Sequence, residues 1–102
     1  MNSIAFDGTK VVLRQERWRH IVLRHAELKN SSELILNAVS RPDEVYVDPT
    51  GAFHALKRVS GVSDFLVVIY SVEDEGYIRT AYYTSNRRKM RRYRSFKKLI
   101  PS

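Results

Sequence analysis

The sequence predicts an α+β domain in which two N-terminal helices pack on a four-stranded antiparallel meander sheet, followed by a basic C-terminal tail. Apolar residues recur every three or four positions in the N-terminal part, and every second position after Pro42. The turns between the predicted strands are short, which favours antiparallel neighbours. A chain of 102 residues that is 43% hydrophobic can form one core. We therefore expect residues 1–86 to form a single domain and residues 87–102 to be its basic C-terminal extension.

Two amphipathic helices are predicted before Pro42. The first covers about residues 15–28, after a segment at 9–13 that is either a short strand or an extended lead-in. The second begins near Asn30, where Glu33 completes a capping arrangement, and ends at Arg41, because the residue before a proline is displaced from helical geometry. The apolar stripe of the first helix consists of Trp18, Ile21, Val22, His25 and Leu28.

Four strands are predicted after Pro42, at residues 43–48, 53–59, 65–72 and 77–85. They are separated by turn segments such as Asp48-Pro49-Thr50-Gly51, in which proline presets the second position and glycine tolerates a positive φ. The third strand is apolar enough to be central. Strict alternation in the fourth strand places Ile78, Thr80, Tyr82 and Thr84 on one side of the sheet and Tyr77, Arg79, Ala81 and Tyr83 on the other.

The positive charge is concentrated at the C-terminal end. From Ser85 onward the chain has eight of its eighteen Lys and Arg and none of its eleven Asp and Glu. Such segregation favours binding to a polyanion, and Tyr93 and Phe96 offer faces for stacking. A membrane surface, an acidic protein or no partner at all are the alternatives for a run of this kind. The tail cations expected to bind substrate are Arg87, Arg88, Lys89, Arg91 and Arg92.

Several classes of site are not expected. The chain has no cysteine, which excludes disulfides, thiolate catalysis and cysteine-based zinc sites. Its three histidines have no metal-binding spacing, so we predict neither a metal nor a cofactor. No apolar run approaches the roughly 20 residues of a membrane span, and the N-terminus lacks the features of a signal peptide. We predict a cytoplasmic protein with no membrane partner.

Three segments resemble one family of small nuclease domains. The run from Trp18 to Glu27 is similar to the W-x-H-I-x-x-R-H-x-E segment of phage-type nuclease domains, with Ala26 where relatives often have proline. The segment from Arg41 to Val45 resembles their P-D-x-V motif, and the segment from Arg79 to Thr84 resembles their T-A-Y-x-T strand. These domains belong to the barnase–EndoU–colicin–RelE superfamily of metal-independent ribonucleases. The resemblance covers about residues 11–98.

The resemblance implies a metal-independent RNA endonuclease that leaves a 2′,3′-cyclic phosphate, with the toxin of a toxin–antitoxin pair as one expected biological role. His25 matches the family's helix histidine and is the first candidate acid or base. Thr80 and Tyr82 match the strand motif and are assigned to catalysis with Arg58, whose planar fork suits a phosphate. Thr84, from the same motif, is assigned to substrate binding. The partners implied are RNA and an acidic antitoxin or other protein.

Further cations are expected at the substrate. Lys57 and Arg58 are adjacent, so one of them faces each side of the sheet, and Arg79 is the alternative phosphate ligand. His20 and Arg24 lie on the polar side of the first predicted helix, where they can bind RNA. His54 is a weaker candidate for catalysis than His25. The alternative to a nuclease is a non-catalytic RNA- or DNA-binding module on the same scaffold.

Overall fold

The computed structural model describes residues 1–61 and 63–101, which form three α-helices and one seven-stranded mixed sheet. The helices are α1 (Gln15–Arg24), α2 (Ser32–Ser40) and α3 (Asn86–Arg92), with a 3₁₀ turn at Ala26–Leu28. The strands are β1 (Asn2–Ile4), β2 (Lys10–Val12), β3 (Glu44–Val47), β4 (Phe53–Arg58), β5 (Phe65–Val72), β6 (Gly76–Thr84) and β7 (Lys97–Ile100). Within the described ranges no helix is long and apolar enough to cross a membrane.

The predicted fold class is wrong in its sheet and in its tail. The strands run in the order β1-β2-β6-β5-β4-β3-β7. The segment from β3 to β6 is antiparallel throughout, as predicted, but β2 pairs with β6 in parallel and β7 adds to β3 at the other end. The additional strands have three or four residues each, too few to show a period of two in the sequence.

The first helix ends earlier than predicted. Its last residue is Arg24, and His25 leaves helical geometry with φ −133° and ψ 73°. The chain then makes the 3₁₀ turn, in which Leu28 is completely buried. His25 is therefore the C-cap of α1 and is half-buried, and Leu28 joins the core from the turn.

Both faces of the sheet are covered, whereas helices on one face were predicted. On the helical face, α1 and α2 pack over a core that includes Ala55, Leu66, Val68 and Ile78. On the opposite face, which we call the α3 face, the residues following β6 pack over a second core. The buried members of this second core are Tyr46, Ala52, Leu56, Phe65, Val67, Ile69 and Tyr93.

A bulge in β6 changes which side chains share a face. Thr80 pairs with Ile69 and Ile78 pairs with Tyr70, so Arg79 is an extra residue between two paired positions. Ile78 therefore lies in the core of the helical face, while Tyr82 packs against the core of the α3 face. The predicted grouping of Ile78 with Thr80 and Tyr82 is wrong for this reason.

The basic tail is a helix and a strand. Ser85 caps α3 by accepting the Arg88 N–H at 3.2 Å, and the Asp64 carboxylate accepts the Asn86 N–H at 2.7 Å. The Lys89 ammonium lies 2.7 Å from the Glu44 carboxylate of β3, and both side chains are largely buried. After the helix, Tyr93 stacks on Tyr46 with ring centroids 4.6 Å apart. The contacts with Asp64, Glu44 and Tyr46, which come from distant parts of the chain, offset the like-charge repulsion within α3.

Candidate functional site

A pocket of about 410 Å³ opens on the α3 face beside His54, and we call it the His54 pocket. Its walls come from α1, the turn before β4, the three central strands and the end of α3. Its lining residues are Arg17, Asp48, Thr50, His54, Ile69, Arg79, Thr80 and Arg92.

The turn before β4 fixes the Asp48 carboxylate. One carboxylate oxygen accepts the Thr50 N–H at 2.9 Å, the Thr50 hydroxyl at 2.6 Å and the Ala52 N–H at 3.1 Å. The turn is closed by Gly51 at φ 89°. Burial by itself would raise the pKa of Asp48, but the hydrogen bonds from Thr50, His54 and Ala52 outweigh it and hold the pKa well below its usual range. Asp48 is therefore an ionised acceptor whose other oxygen is directed at His54.

His54 is buried between two partners. Its side chain is 1% exposed, with Nε2 2.8 Å from the Asp48 carboxylate and Nδ1 2.8 Å from the Tyr93 hydroxyl. Burial lowers the pKa of His54; Asp48 acts in the opposite direction, and the positive charges of Arg92 and Arg79 lower the pKa further. The ring is therefore neutral near pH 7. Because ionised Asp48 can only accept, Nε2 carries the proton and Nδ1 accepts from Tyr93.

Three arginines surround this pair. Arg17, Arg79 and Arg92 line the His54 pocket, and Arg79 projects there because it is the extra residue of the bulge in β6. The Arg92 guanidinium also lies 6.0 Å from the centroid of Tyr82 and 5.9 Å from that of Tyr93. Guanidinium groups next to a hydroxyl such as that of Thr80 are suited to a phosphate.

Two further pockets share walls with the His54 pocket. One, of about 260 Å³, is lined by Tyr82, Tyr83 and Thr84 of β6 and by Arg88, Arg91 and Arg92 of α3, and we call it the Tyr82 pocket. The other, of about 450 Å³, lies along α1, and we call it the α1 pocket; it is lined by Arg14, Glu16, Arg17, His20, Tyr77 and Ile78. Arg92 lines both the His54 pocket and the Tyr82 pocket, and Arg17 lines both the His54 pocket and the α1 pocket.

The structure brings together most of the residues taken from the strand motif and α3. Thr80, Arg79 and Arg92 line the His54 pocket. Tyr82, Thr84, Arg88 and Arg91 line the neighbouring Tyr82 pocket. His20 lies apart from these residues in the α1 pocket.

Other candidates lie elsewhere. The His25 ring is 6.3 Å from that of Tyr82 and does not line the His54 pocket. Lys57 donates to the Arg41 carbonyl oxygen at 2.7 Å, and the Arg58 guanidinium lies 5.1 Å above the ring of Phe65. Lys89 is paired with Glu44 beneath α3. Arg24 and Arg87 are exposed and line none of these three pockets.

The sequence analysis did not assign Asp48, Thr50 or Arg17 to the site and ranked His54 below His25. It expected Tyr93 to stack on a substrate, whereas the Tyr93 hydroxyl is hydrogen-bonded to His54. The sequence does contain a signal for the pairing of Asp48 with His54, because these two residues flank a turn that brings the start of β4 back beside the end of β3. In the sequence Asp48 appears only as a turn residue, since its pairing with His54 depends on the registration of the two strands. Tyr93 and Arg17 reach the site through tertiary packing alone.

No group of three or more His, Cys, Asp or Glu that could hold a metal ion occurs in residues 1–61 and 63–101. Comparison of the chain with protein-family models, with curated proteins and with solved structures finds no match in any of the three.

Proposed function

We propose that the protein is a metal-independent RNA endonuclease whose reaction takes place in the His54 pocket. The observation that supports this proposal best is a neutral histidine, paired with an ionised aspartate, in a pocket bordered by three arginines. A neutral imidazole is a proton acceptor, and arginines stabilise the charge that develops on a phosphate. Resemblance to the metal-independent ribonucleases supports the same reaction class.

In the proposed reaction the scissile phosphate lies between Arg79 and Arg92, with the Thr80 hydroxyl as a further donor. The 2′-oxygen attacks phosphorus and forms the cyclic phosphate, while the bond from phosphorus to the 5′-oxygen breaks. The 2′-hydroxyl proton passes to Nδ1 of His54, either after Tyr93 releases this atom or through the Tyr93 hydroxyl. Asp48 stabilises the resulting imidazolium, and the leaving 5′-oxygen takes a proton from solvent.

His54 replaces His25 as the proposed acid or base because of its surroundings. Asp48 orients the His54 ring, and Arg79 and Arg92 lie in the same pocket. Binding of a phosphate to these two arginines would also neutralise the charges that lower the pKa of His54. Substrate binding is therefore expected to make His54 a stronger proton acceptor.

The test is cleavage of a mixed structured and single-stranded RNA in excess EDTA, with analysis of the fragment ends. We expect wild type to leave 2′,3′-cyclic phosphates and His54→Ala to lose about 10²–10⁴-fold in rate, as for removal of a general base. His54→Gln, which retains polar atoms for Asp48 and Tyr93, should be similarly slow while remaining folded. Equal rates for wild type and a folded His54→Gln would contradict the proposal. His25→Ala, measured in parallel, decides whether the helix histidine contributes.

The second candidate is a non-catalytic RNA- or DNA-binding module. One observation favours it: both ring nitrogens of His54 already have protein partners, as in a histidine that only stabilises a fold. Binding to RNA without any cleavage would support this function. An acidic protein partner that covers the basic surface stays a prediction from charge under either function.

A further inference from the structure

We infer that the substrate is single-stranded and that it extends from the His54 pocket into the Tyr82 pocket, which holds the nucleotide next to the scissile phosphate. This inference rests on the proposed function for the identity of the reacting site. It adds the strandedness of the substrate, a second subsite and the residues of α3 that form it.

The two pockets are neighbours. Arg92 lines both, and its guanidinium lies about equally far from the rings of Tyr82 and Tyr93, at 6.0 and 5.9 Å. Thr80 in the first pocket and Tyr82 in the second are two residues apart in β6, a distance of about 7 Å along the strand. A chain bound to Arg92 by a phosphate therefore has its next unit within reach of the Tyr82 pocket.

The chemistry of the Tyr82 pocket suits a nucleotide. Tyr82, Tyr83 and Thr84 of β6 and three arginines of α3 line it, and none of the lining residues is acidic. Tyr82 packs on the α3 face, whereas the Tyr83 ring packs against the core of the helical face, so Tyr82 is the aromatic ring available to a base. The buried Tyr82 hydroxyl has no hydrogen-bond partner among the described residues, although it lies close enough to Tyr93 to help raise the pKa of that tyrosine. Aromatic faces stack bases, and guanidinium groups bind phosphates or stack in turn.

The arrangement favours a single strand over a duplex. In a duplex the bases are paired and stacked on each other, so that their faces are inaccessible to protein side chains. The phosphates of a duplex would be recognised equally well by any exposed arginine. The Tyr82 ring adds to binding only where a base is unstacked and free to enter.

Acidic residues limit the path of the nucleic acid on the side of the His54 pocket that faces α1. The His54 pocket continues through Arg17 to the α1 pocket, beyond which the hairpin before β6 presents Glu73, Asp74 and Glu75 to a further depression beside Arg14 and Tyr77. Three consecutive acidic residues repel a phosphate chain. The nucleic acid is therefore expected to cross the middle and C-terminal part of β6 towards α3.

The experiment measures binding separately from cleavage. A fluorescein-labelled 2′-deoxy 12-mer lacks the attacking hydroxyl, and its anisotropy is followed at one fixed salt concentration, alone and annealed to its complement. We compare wild type with Arg91→Ala, in the Tyr82 pocket, and with Arg94→Ala as a control. Arg94 is exposed, lies just after α3, lines neither pocket and carries the same charge.

Wild type should bind the single strand more tightly than the duplex. Arg91→Ala should weaken single-strand binding about tenfold, the loss of one stacking or phosphate contact, and should reduce the preference for the single strand. Arg94→Ala should change single-strand affinity by less than about twofold, because an exposed charge that lines neither pocket makes no direct contact with the strand and is screened by salt. Equal losses from the two variants, or equal affinity for both forms of the probe, would overturn the inference. If the probe binds as expected but wild type cleaves no RNA, the proposed function fails and the single-strand subsite stands.

Discussion

At the scale of single residues, the hydrogen bonds around His54 decide what this side chain can do. An ionised Asp48 at Nε2 and a hydroxyl donor at Nδ1 select one neutral tautomer. Burial, with a contribution from nearby Tyr82, raises the pKa of Tyr93, so that its hydroxyl keeps its proton and can donate it. The three side chains therefore form one unit, and a change in any of them alters the others.

Tyr93→Phe removes the donor at Nδ1 and leaves a buried nitrogen unpaired. We expect the free energy of unfolding to fall by about 1–3 kcal/mol, the usual result of losing one partner of a buried hydrogen bond. The matched control is Tyr82→Phe, which removes a buried hydroxyl that has no partner among the described residues and should cost little or stabilise. Urea denaturation measures both, and a loss from Tyr93→Phe no larger than that from Tyr82→Phe would mean that the hydrogen bond of Tyr93 contributes less than proposed.

At the scale of secondary structure elements, a buried ion pair fastens α3 to the sheet. The exposed fractions of the side chains are 14% for Lys89 and 7% for Glu44. Burial by itself would raise the pKa of Glu44, but hydrogen bonds from Lys89 and Tyr46, together with the charges of Lys89 and Lys98, lower it. Since α3 also supplies Arg92 and the arginines of the Tyr82 pocket, this pair positions residues of the proposed site.

Lys89→Met should lower the free energy of unfolding by about 3 kcal/mol, because it leaves the Glu44 carboxylate buried without its nearest cation. The double variant Glu44→Gln with Lys89→Met should lose less, because no charge remains uncompensated. Arg14→Met is the control: it breaks an ion pair with Glu75 whose side chains are 58% and 48% exposed, and it should cost under about 1 kcal/mol. A loss from Lys89→Met no larger than that from Arg14→Met would show that the buried pair does not fasten α3.

The elements that the sequence predicts correctly are those long enough to show a period. The strands β3 to β6 and the helices α1 and α2 each have an apolar pattern that matches their burial, on one face for the helices and on both faces for the central strand β5. The bulge at Arg79 cannot be found in this way, because an extra residue changes the alternation without leaving a glycine or proline at that position. The helix α3 is not predictable from its own sequence, because its like charges oppose helix formation in isolation. Contacts with Glu44 and Asp64, from distant parts of the chain, stabilise it.

At the scale of the whole molecule, the largest difference from the sequence prediction is the covering of the second sheet face. The sequence predicts one face for the helices and leaves the other open, whereas the residues after Ser85 return across this open face and end as β7 beside β3. This C-terminal segment supplies Arg92 to the wall of the His54 pocket and packs Tyr93 against His54. The part of the candidate site formed by Arg92 and Tyr93 therefore depends on contacts between residues that are far apart in the chain, which local patterns do not reveal.

The burial of His54 beneath the residues that follow β6 makes the stability of the whole molecule depend on pH. His54 has a pKa below its ordinary value of 6.5 in the folded state, so the unfolded chain binds a proton there first. The free energy of unfolding should therefore fall as the pH drops below about 6.5, until the folded-state pKa is passed. Asp48 and Glu44 also have lowered pKa values, from ordinary values of 3.8 and 4.5, so their contributions are present above these values and are lost as the pH falls further.

Urea denaturation of wild type and His54→Gln at pH 7, 6, 5 and 4 separates these contributions. Wild type should lose stability at each step, and His54→Gln should be flatter between pH 7 and 5 because it lacks the titrating ring. Below pH 4.5 the two curves should fall together, since the variant retains Asp48 and Glu44. The positive charge added on acidification repels the basic surface in both proteins and cancels in the comparison. A wild type that is more stable at pH 5 than at pH 7 would mean that His54 is charged in the folded protein, which would reverse its proposed role from proton acceptor to proton donor.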